Sequence, residues 1–225
     1  MKPEETHHDY IRPRDAATLI IVKDQREVLL GLRSHKHVFM PHRYVFPGGR
    51  VDSGDSRVPS PMRLKPEVEN KLLETTTAAR ARALGMAAIR ETFEETGLIV
   101  GTEHHTSIRS RSKHWRPFFE RGVVPALDKL EYFARAVTPP GRVRRFDARF
   151  FTVDARHVSG TLRSNGELED LQWVPIEAAT TFPVATITQA ILELLQDKTG
   201  QVPAGGHSQL YEELKNSELL DHNVW

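Results

Sequence analysis

Residues 90 to 98 read Arg-Glu-Thr-Phe-Glu-Glu-Thr-Gly-Leu, so the acids Glu91, Glu94 and Glu95 stand three and four positions apart. On a helix turning about 100° per residue, this spacing gathers the three carboxylates on one face. Met86, Ile89 and Phe93 fall on the opposite side and give the same helix a core face. Three like charges on one arc repel each other. Hard divalent cations such as Mg²⁺ want oxygen clusters of this kind, and they keep waters and substrate phosphate oxygens as their other ligands. A solvated acidic face with Arg90 as its ion-pair partner is the competing description. Gly97 directly after the acids, and Pro47-Gly48-Gly49 at an upstream strand end, favour a built site, because these residues stop regular elements and permit unusual backbone angles.

These residues need positioning elements. Ala16–Val22 and Val28–Leu32 are apolar strands separated by the polar turn Lys23–Arg26, and together they predict a β-hairpin. Tyr44–Phe46 is a strand that Pro47-Gly48-Gly49 stops. Ser53–Lys65 reads as a surface loop. From Pro66 the composition turns helical, and Thr75–Thr96 predicts a helix that Gly97 ends. Leu98–Val100, Leu130–Val137, Phe146–Val153 and Leu171–Val174 read as strands. Ala185–Gln196 is an amphipathic helix by the spacing of Ile187, Ile191, Leu194 and Leu195. A tail follows from Gly200, with a short helix expected around Leu210–Leu220. The alternation of elements predicts an α/β or α+β class with a mixed sheet.

Composition narrows the chemistry. The chain has 225 residues, with 31 basic against 30 acidic side chains and no cysteine. Disulfides, Cys-containing zinc sites, iron–sulfur clusters and thiol nucleophiles are all excluded. The charge balance gives no global field for nucleic acid. Without an apolar run long enough to span a membrane, or an apolar leader stretch, a soluble cytoplasmic protein with no membrane partner is expected. One segment is locally basic. Between His104 and Arg121 stand Arg109, Arg111, Lys113, Arg116 and Arg121 against the single acid Glu120, with Trp115 and Phe118 interleaved. It reads as a solvated loop, with a 3′-phosphoadenosine group or RNA as the alternative occupant. His35, His37 and the pairs His7-His8 and His104-His105 lack helical zinc spacing and are assigned no metal.

The acidic motif resembles the second half of the Nudix hydrolase signature, a glycine, five residues, an acid, seven residues, then R-E-U-x-E-E-x-G-U. Only Thr92 departs, standing where an aliphatic residue is usual. The first half is matched by Gly49–Asp55, with Asp55 in place of Glu. Thirty-four residues instead of seven separate Asp55 from Arg90, so the box is split by an insertion, assigned to residues 56–82. The flanking segments Val28–Ser34, Phe39–Pro41, Tyr44–Asp52, Tyr132–Pro139 and Arg145–Phe151 look like the Nudix branch that contains the peroxisomal coenzyme A diphosphatases.

The resemblance implies a Nudix fold, a mixed β-sheet sandwiched between α-helices, as a single domain over residues 1–225 with a tail at 200–225. It implies Mg²⁺ or Mn²⁺ as cofactor. Glu91 and Glu95 would hold the principal ion, Glu94 a second one, and Gly48 would offer its carbonyl. Arg90 would orient a catalytic glutamate. Glu167 is the candidate general base, with Glu169 and Glu91 as alternatives. Arg33, Arg50, Arg145 and Arg149 are candidate phosphate contacts. The implied reaction is hydrolysis of a diphosphate linked to another group, foremost coenzyme A or acyl-coenzyme A to 3′,5′-ADP and 4′-phosphopantetheine. ADP-ribose, NADH or nucleotide-sugar cleavage, or a non-catalytic binding module, are the alternatives. The partner is then a small nucleotide, and a homodimer is compatible with it.

Overall fold

The computed structural model describes residues 11–35, 41–105, 108, 110, 112–202, 207, 208, 211, 220 and 221. The expected hairpin forms: β1 (Arg14–Lys23) and β2 (Glu27–Arg33) pair antiparallel with Val22 opposite Val28. Asp24 and Gln25 both take positive φ in the turn, the backbone that matches the twist of tightly linked strands. β3 (Tyr44–Val45) joins β2, and β4 (Gly48–Arg50) runs antiparallel to the start of β1, with Thr18 opposite Gly48.

The helix expected over Thr75–Thr96 forms, and a separate shorter helix precedes it. α1 (Pro66–Leu73) begins at a proline and α2 (Ala78–Thr96) begins after Thr77, whose hydroxyl accepts the Arg80 N–H. Gly97 ends α2 in the left-handed conformation, as expected of a C-cap glycine. β5 (Leu98–Ile99) and β6 (Gly101–Glu103) follow, then α3 (Arg116–Phe119) and β7 (Val123–Pro125), which pairs with β6. β8 (Glu131–Val137) and β9 (Phe146–Asp154) form an antiparallel pair, and β9 lies parallel to β1 along nine residues. β10 (Ser159–Gly160) pairs with β5. β11 (Leu168–Pro175) pairs with β2 through a bulge between Glu169 and Gln172. α4 (Thr186–Thr199) comes next, and β12 (Leu220–Asp221) pairs with β8. The main sheet therefore runs β11-β2-β1-β9-β8-β12, mixed as expected.

Alternation along β1 sends its two sets of side chains into two cores. Ala17, Leu19 and Ile21 pack with α1 and α2, and Ile20 packs with α4 and its Ile191, Leu192 and Leu195. Helices thus cover both faces of the sheet.

The insertion is part of the first core. Val58, Leu64, Val68 and Leu72 are buried there, and a Cβ on Gly85 of α2 would come within 2.9 Å of Leu127 and 3.1 Å of Leu64. Gly85 therefore stays bare so that the insertion can lie against the helix. The segment expected as a solvated basic loop is also different. Trp115, Phe118 and Phe119 are buried in this core, with Trp115 edge-on to Phe118 at 5.3 Å between ring centroids. Arg109 and Arg111, His7, His8 and His37, and most of the expected tail helix lie outside the described residues.

Candidate active site

The split box closes in space. Arg90 is 3% exposed, and all five of its N–H groups are engaged. Its Nε donates to Asp55 Oδ1 at 2.9 Å and its Nη2 to Asp55 Oδ2 at 3.0 Å, a two-pronged pair with a fully buried carboxylate. The second Nη2 proton goes to the Arg50 carbonyl at 2.9 Å. Nη1 reaches Glu91 Oε1 at 2.9 Å and Glu94 Oε2 at 3.0 Å. Burial disfavours the charge on Arg90, yet the bonds to Asp55 and the charges of Glu91 and Glu94 raise its pKa above the ordinary guanidinium value.

Asp55 is equally saturated. Besides Arg90, its Oδ1 accepts the Trp115 indole N–H at 2.9 Å and its Oδ2 accepts the Asp52 N–H at 2.8 Å, filling the four acceptor positions of a carboxylate. Thirty-four intervening residues leave this half of the motif in place because they fold back into the core behind α2.

The acidic face meets the glycine bend as expected. Gly48 N–H donates to Glu95 Oε2 at 2.8 Å. A Cβ on Gly48 would lie 2.6 Å from the Ala17 carbonyl, and one on Gly49 would lie 2.5 Å from the Glu91 carboxyl carbon. Only glycines let β4 pass between β1 and α2 here. Glu94 is steadied on its other oxygen by His114 Nδ1 at 3.0 Å, whose Nε2 lies 3.8 Å from Asp52. Thr92, the one departure from the signature in this half, is buried with its hydroxyl donating to the Ala88 carbonyl, so its polarity is absorbed within the helix.

Glu95 titrates well above the usual carboxylate range. Burial is the main cause; Glu91 and Glu167 add to it, and the Gly48 N–H and Arg33 oppose it. Glu91 is raised too, again chiefly by burial, against the pull of Arg90. These are oxygens that favour a bound cation. Glu91 Oε2 and Glu95 Oε1 accept no hydrogen bond among the described residues, and the donor set is all oxygen, which fits Mg²⁺ or Mn²⁺. Among the described residues, however, no three acidic or histidine side chains already converge on one metal-sized point.

Of the other residues singled out from sequence, Glu167 and Arg33 join this cluster. Glu167 is exposed at the head of β11, in a turn where its N–H donates to Asn165 Oδ1 and its carbonyl accepts the Ser34 N–H. It is close enough to raise both Glu91 and Glu95, and Arg33 lies in the field of Glu95 and Glu167. Arg50 has an exposed side chain on β4 beside the site.

Arg145 and Arg149 do not join it, and here the phosphate-contact expectation is corrected. Arg145 is buried and donates to the Thr138 and Ile11 carbonyls, tying the β8–β9 connection to the start of β1. Arg149 is 1% exposed, pairs with Asp147 and donates to the Thr75 hydroxyl in the α1–α2 link. That link is the far end of α2 from Glu91, roughly 20 Å at 1.5 Å per residue. Trp115 and His114 are the site residues that sequence reading missed. The spacing of Trp115, Phe118 and Phe119, three and four apart, was the available signal that this segment has a buried face.

A sheet covered by helices on both faces, with an Arg-Glu-x-x-Glu-Glu helix docked on a Gly-Gly strand, defines the class. The chain belongs to the Nudix family: the NUDIX domain model matches residues 81–196, just over half of it. Among curated relatives it is 27% identical over 203 residues to the acyl-coenzyme A diphosphatase NUDT19 of Xenopus laevis, covering 68% of this chain and 53% of that protein. It is 26% identical to the putative nudix hydrolase 7 of Caenorhabditis elegans, covering 72% and 51%. The chain thus spans about half the length of these relatives. Among solved structures, a NUDIX hydrolase from Alicyclobacillus acidocaldarius superposes with a TM-score of 0.62 at 25% identity, covering 82% of this chain and 91% of that one. Among the described residues, no helix is long and apolar enough to cross a membrane.

Proposed function

We propose that this chain is a Mg²⁺- or Mn²⁺-dependent diphosphatase whose substrate is coenzyme A or an acyl-coenzyme A, cleaved to 3′,5′-ADP and a 4′-phosphopantetheine product. The observation that carries the hydrolase reading is the Arg90 network, in which Asp55, Glu91 and Glu94 share one guanidinium beside the Gly48–Gly49 bend. The coenzyme A reading rests on the flanking segments and on the likeness to the Xenopus acyl-coenzyme A diphosphatase. When bound, the divalent ion would neutralise charge on the diphosphate oxygens. Glu91 and Glu95, with the Gly48 carbonyl, would hold it, and Glu94 would hold a second ion.

The chain's own residues do the rest. Arg90 fixes one oxygen of Glu91 and one of Glu94, so the remaining oxygens point in set directions. Arg33 and Arg50 offer guanidinium groups at the edge of the cluster for phosphate oxygens. Glu167, exposed on a hydrogen-bonded turn, takes the proton of the attacking water. Glu91 is the less suited base because Arg90 already holds it. The reading takes residues 1–225 as one domain, 56–82 as an insertion folded into the core and 200–225 as a tail. The cysteine-free composition suits a cytoplasmic setting, and a homodimer is tested by light scattering.

The test is a panel of purified protein, Mg²⁺ or Mn²⁺, and coenzyme A, acyl-coenzyme A, ADP-ribose, NADH and nucleotide sugars, with products separated by chromatography. Release of 3′,5′-ADP from coenzyme A substrates is expected. Turnover of ADP-ribose or NADH without it would replace the substrate and retain the hydrolase.

A further inference from the structure

We propose that residues 112–119 form a third piece of the catalytic box, with Trp115 as the residue that positions it. This inference rests on the hydrolase reading and adds a part that lies outside the signature.

Three observations carry it. First, the acid of the box is Asp55, one methylene shorter than the glutamate of the signature, and yet its carboxylate meets Arg90 with both oxygens. Second, the indole N–H of Trp115 takes Oδ1, the oxygen that also receives Arg90 Nε. The indole is fully buried and braced edge-on by Phe118, with Phe119 6.0 Å away between ring centroids, so its N–H direction is set by packing. Third, the preceding residue reaches the other arm of the same network. His114 Nδ1 meets Glu94 Oε1, while Arg90 Nη1 meets Glu94 Oε2. One short segment thus touches two of the three acids that Arg90 binds, on the oxygens not facing Nη1 and Nη2.

Asp55 and Trp115 behave as a matched pair. A glutamate at position 55 would carry its carboxylate one methylene further, into the volume the indole occupies, and removing the indole N–H leaves a buried carboxylate oxygen short of a donor. Trp115 is fully buried and its N–H goes to Asp55, so it acts through Asp55 and Arg90 on the aim of Glu91 and Glu94. A supporting residue of this kind typically changes activity or metal affinity ten- to a hundredfold when lost.

The experiment uses the full chain with Trp115→Phe, Asp55→Glu and the double variant. It reads kcat and KM on the best diphosphate substrate, Mn²⁺ affinity by electron paramagnetic resonance without substrate, and melting by circular dichroism. Trp115→Phe keeps the aromatic packing; we expect kcat down about tenfold, KM within about twofold and Mn²⁺ affinity down about fivefold. Asp55→Glu alone should lose more than about tenfold, and adding Trp115→Phe should restore part of that loss instead of multiplying it. Wild-type kcat and Mn²⁺ affinity in Trp115→Phe would overturn the inference. Losses that multiply in the double variant, or a lowered melting temperature with kcat and Mn²⁺ affinity unchanged, would overturn it too. If the wild type cleaves no diphosphate while the Mn²⁺ affinities still couple, the proposed function fails and the pairing stands.

Discussion

Two buried arginines, Arg90 on α2 and Arg149 on β9, look alike in a sequence and do opposite things. Both are at most 3% exposed, and both are paired with aspartate. Arg90 serves three acids, and its pKa is raised. Arg149 has one, shares it with Arg135, and its pKa is lowered, mainly by burial. The first gathers three carboxylates, of which Glu91 keeps an oxygen that accepts no hydrogen bond among the described residues; the second closes a sheet end onto the α1–α2 link. A guanidinium signals chemistry only when its acids have something left over.

The largest effect is expected at Arg90. Arg90→Ala strands Asp55 in the core, and losing one partner of a buried pair costs about 3–5 kcal/mol. At roughly 2–4 °C per kcal/mol for a chain of this size, we expect a melting temperature lower by roughly 6–20 °C, with turnover down at least about a hundredfold in the fraction still folded. Calorimetry and single-substrate kinetics check both. Glu167→Gln tests the base alone: kcat should fall by about 10²–10⁴ with melting unchanged, since the side chain is exposed. A smaller fall would return that role to Glu91.

Arg149→Met is the counterpart. Asp147 keeps its two bonds from Arg135, so a loss of about 1–2 kcal/mol is expected from urea unfolding, with turnover per folded molecule within about twofold of wild type. A large loss of turnover would restore Arg149 to the substrate site.

The smallest effects are in pH. Asp147 titrates below the usual range: burial opposes the shift, and Arg135 and Arg149 outweigh it. A depressed carboxyl adds stability that is present above its unfolded value and is lost as pH falls through the folded one. Wild type should therefore lose more stability in acid than Arg149→Met does. Glu95 has the opposite sign. Its folded form keeps a proton that the unfolded chain has released, so it costs stability as pH rises above the unfolded value. A divalent ion bound as proposed would take the proton's place, so the rise in melting temperature on adding Mg²⁺ should be larger at pH 8 than at pH 5.5.

Much of this was legible in the residues themselves. The β1–β2 hairpin and the α2 stop at Gly97 follow from local patterns of period two or 3.6 and from glycine's conformational freedom, while the docking of the acidic face on Gly48–Gly49 was implied by the resemblance to the split signature. What local patterns miss is contact across long separations. Whether the insertion would carry Asp55 away from Arg90 depends on Val58, Leu64, Val68 and Leu72 finding the core, and apolar residues in a Ser- and Pro-rich stretch do not announce that. The segment around Trp115 was hidden by the arginines, lysine and serines that surround its aromatic residues. Arg149 could have been read more closely, because Asp147 lies two positions away on the same strand face.

In the proposed function, the interrupted motif reassembles to hold a divalent ion on the acidic end of α2. Anomalous diffraction from a crystal soaked in Mn²⁺ tests it most directly. A manganese peak is expected at bonding distance, about 2.2 Å, from oxygens of Glu91 and Glu95, with the Asp55–Arg90 pair intact behind them. Manganese bound elsewhere on the chain, or Asp55 parted from Arg90 while the ion is held, would contradict it.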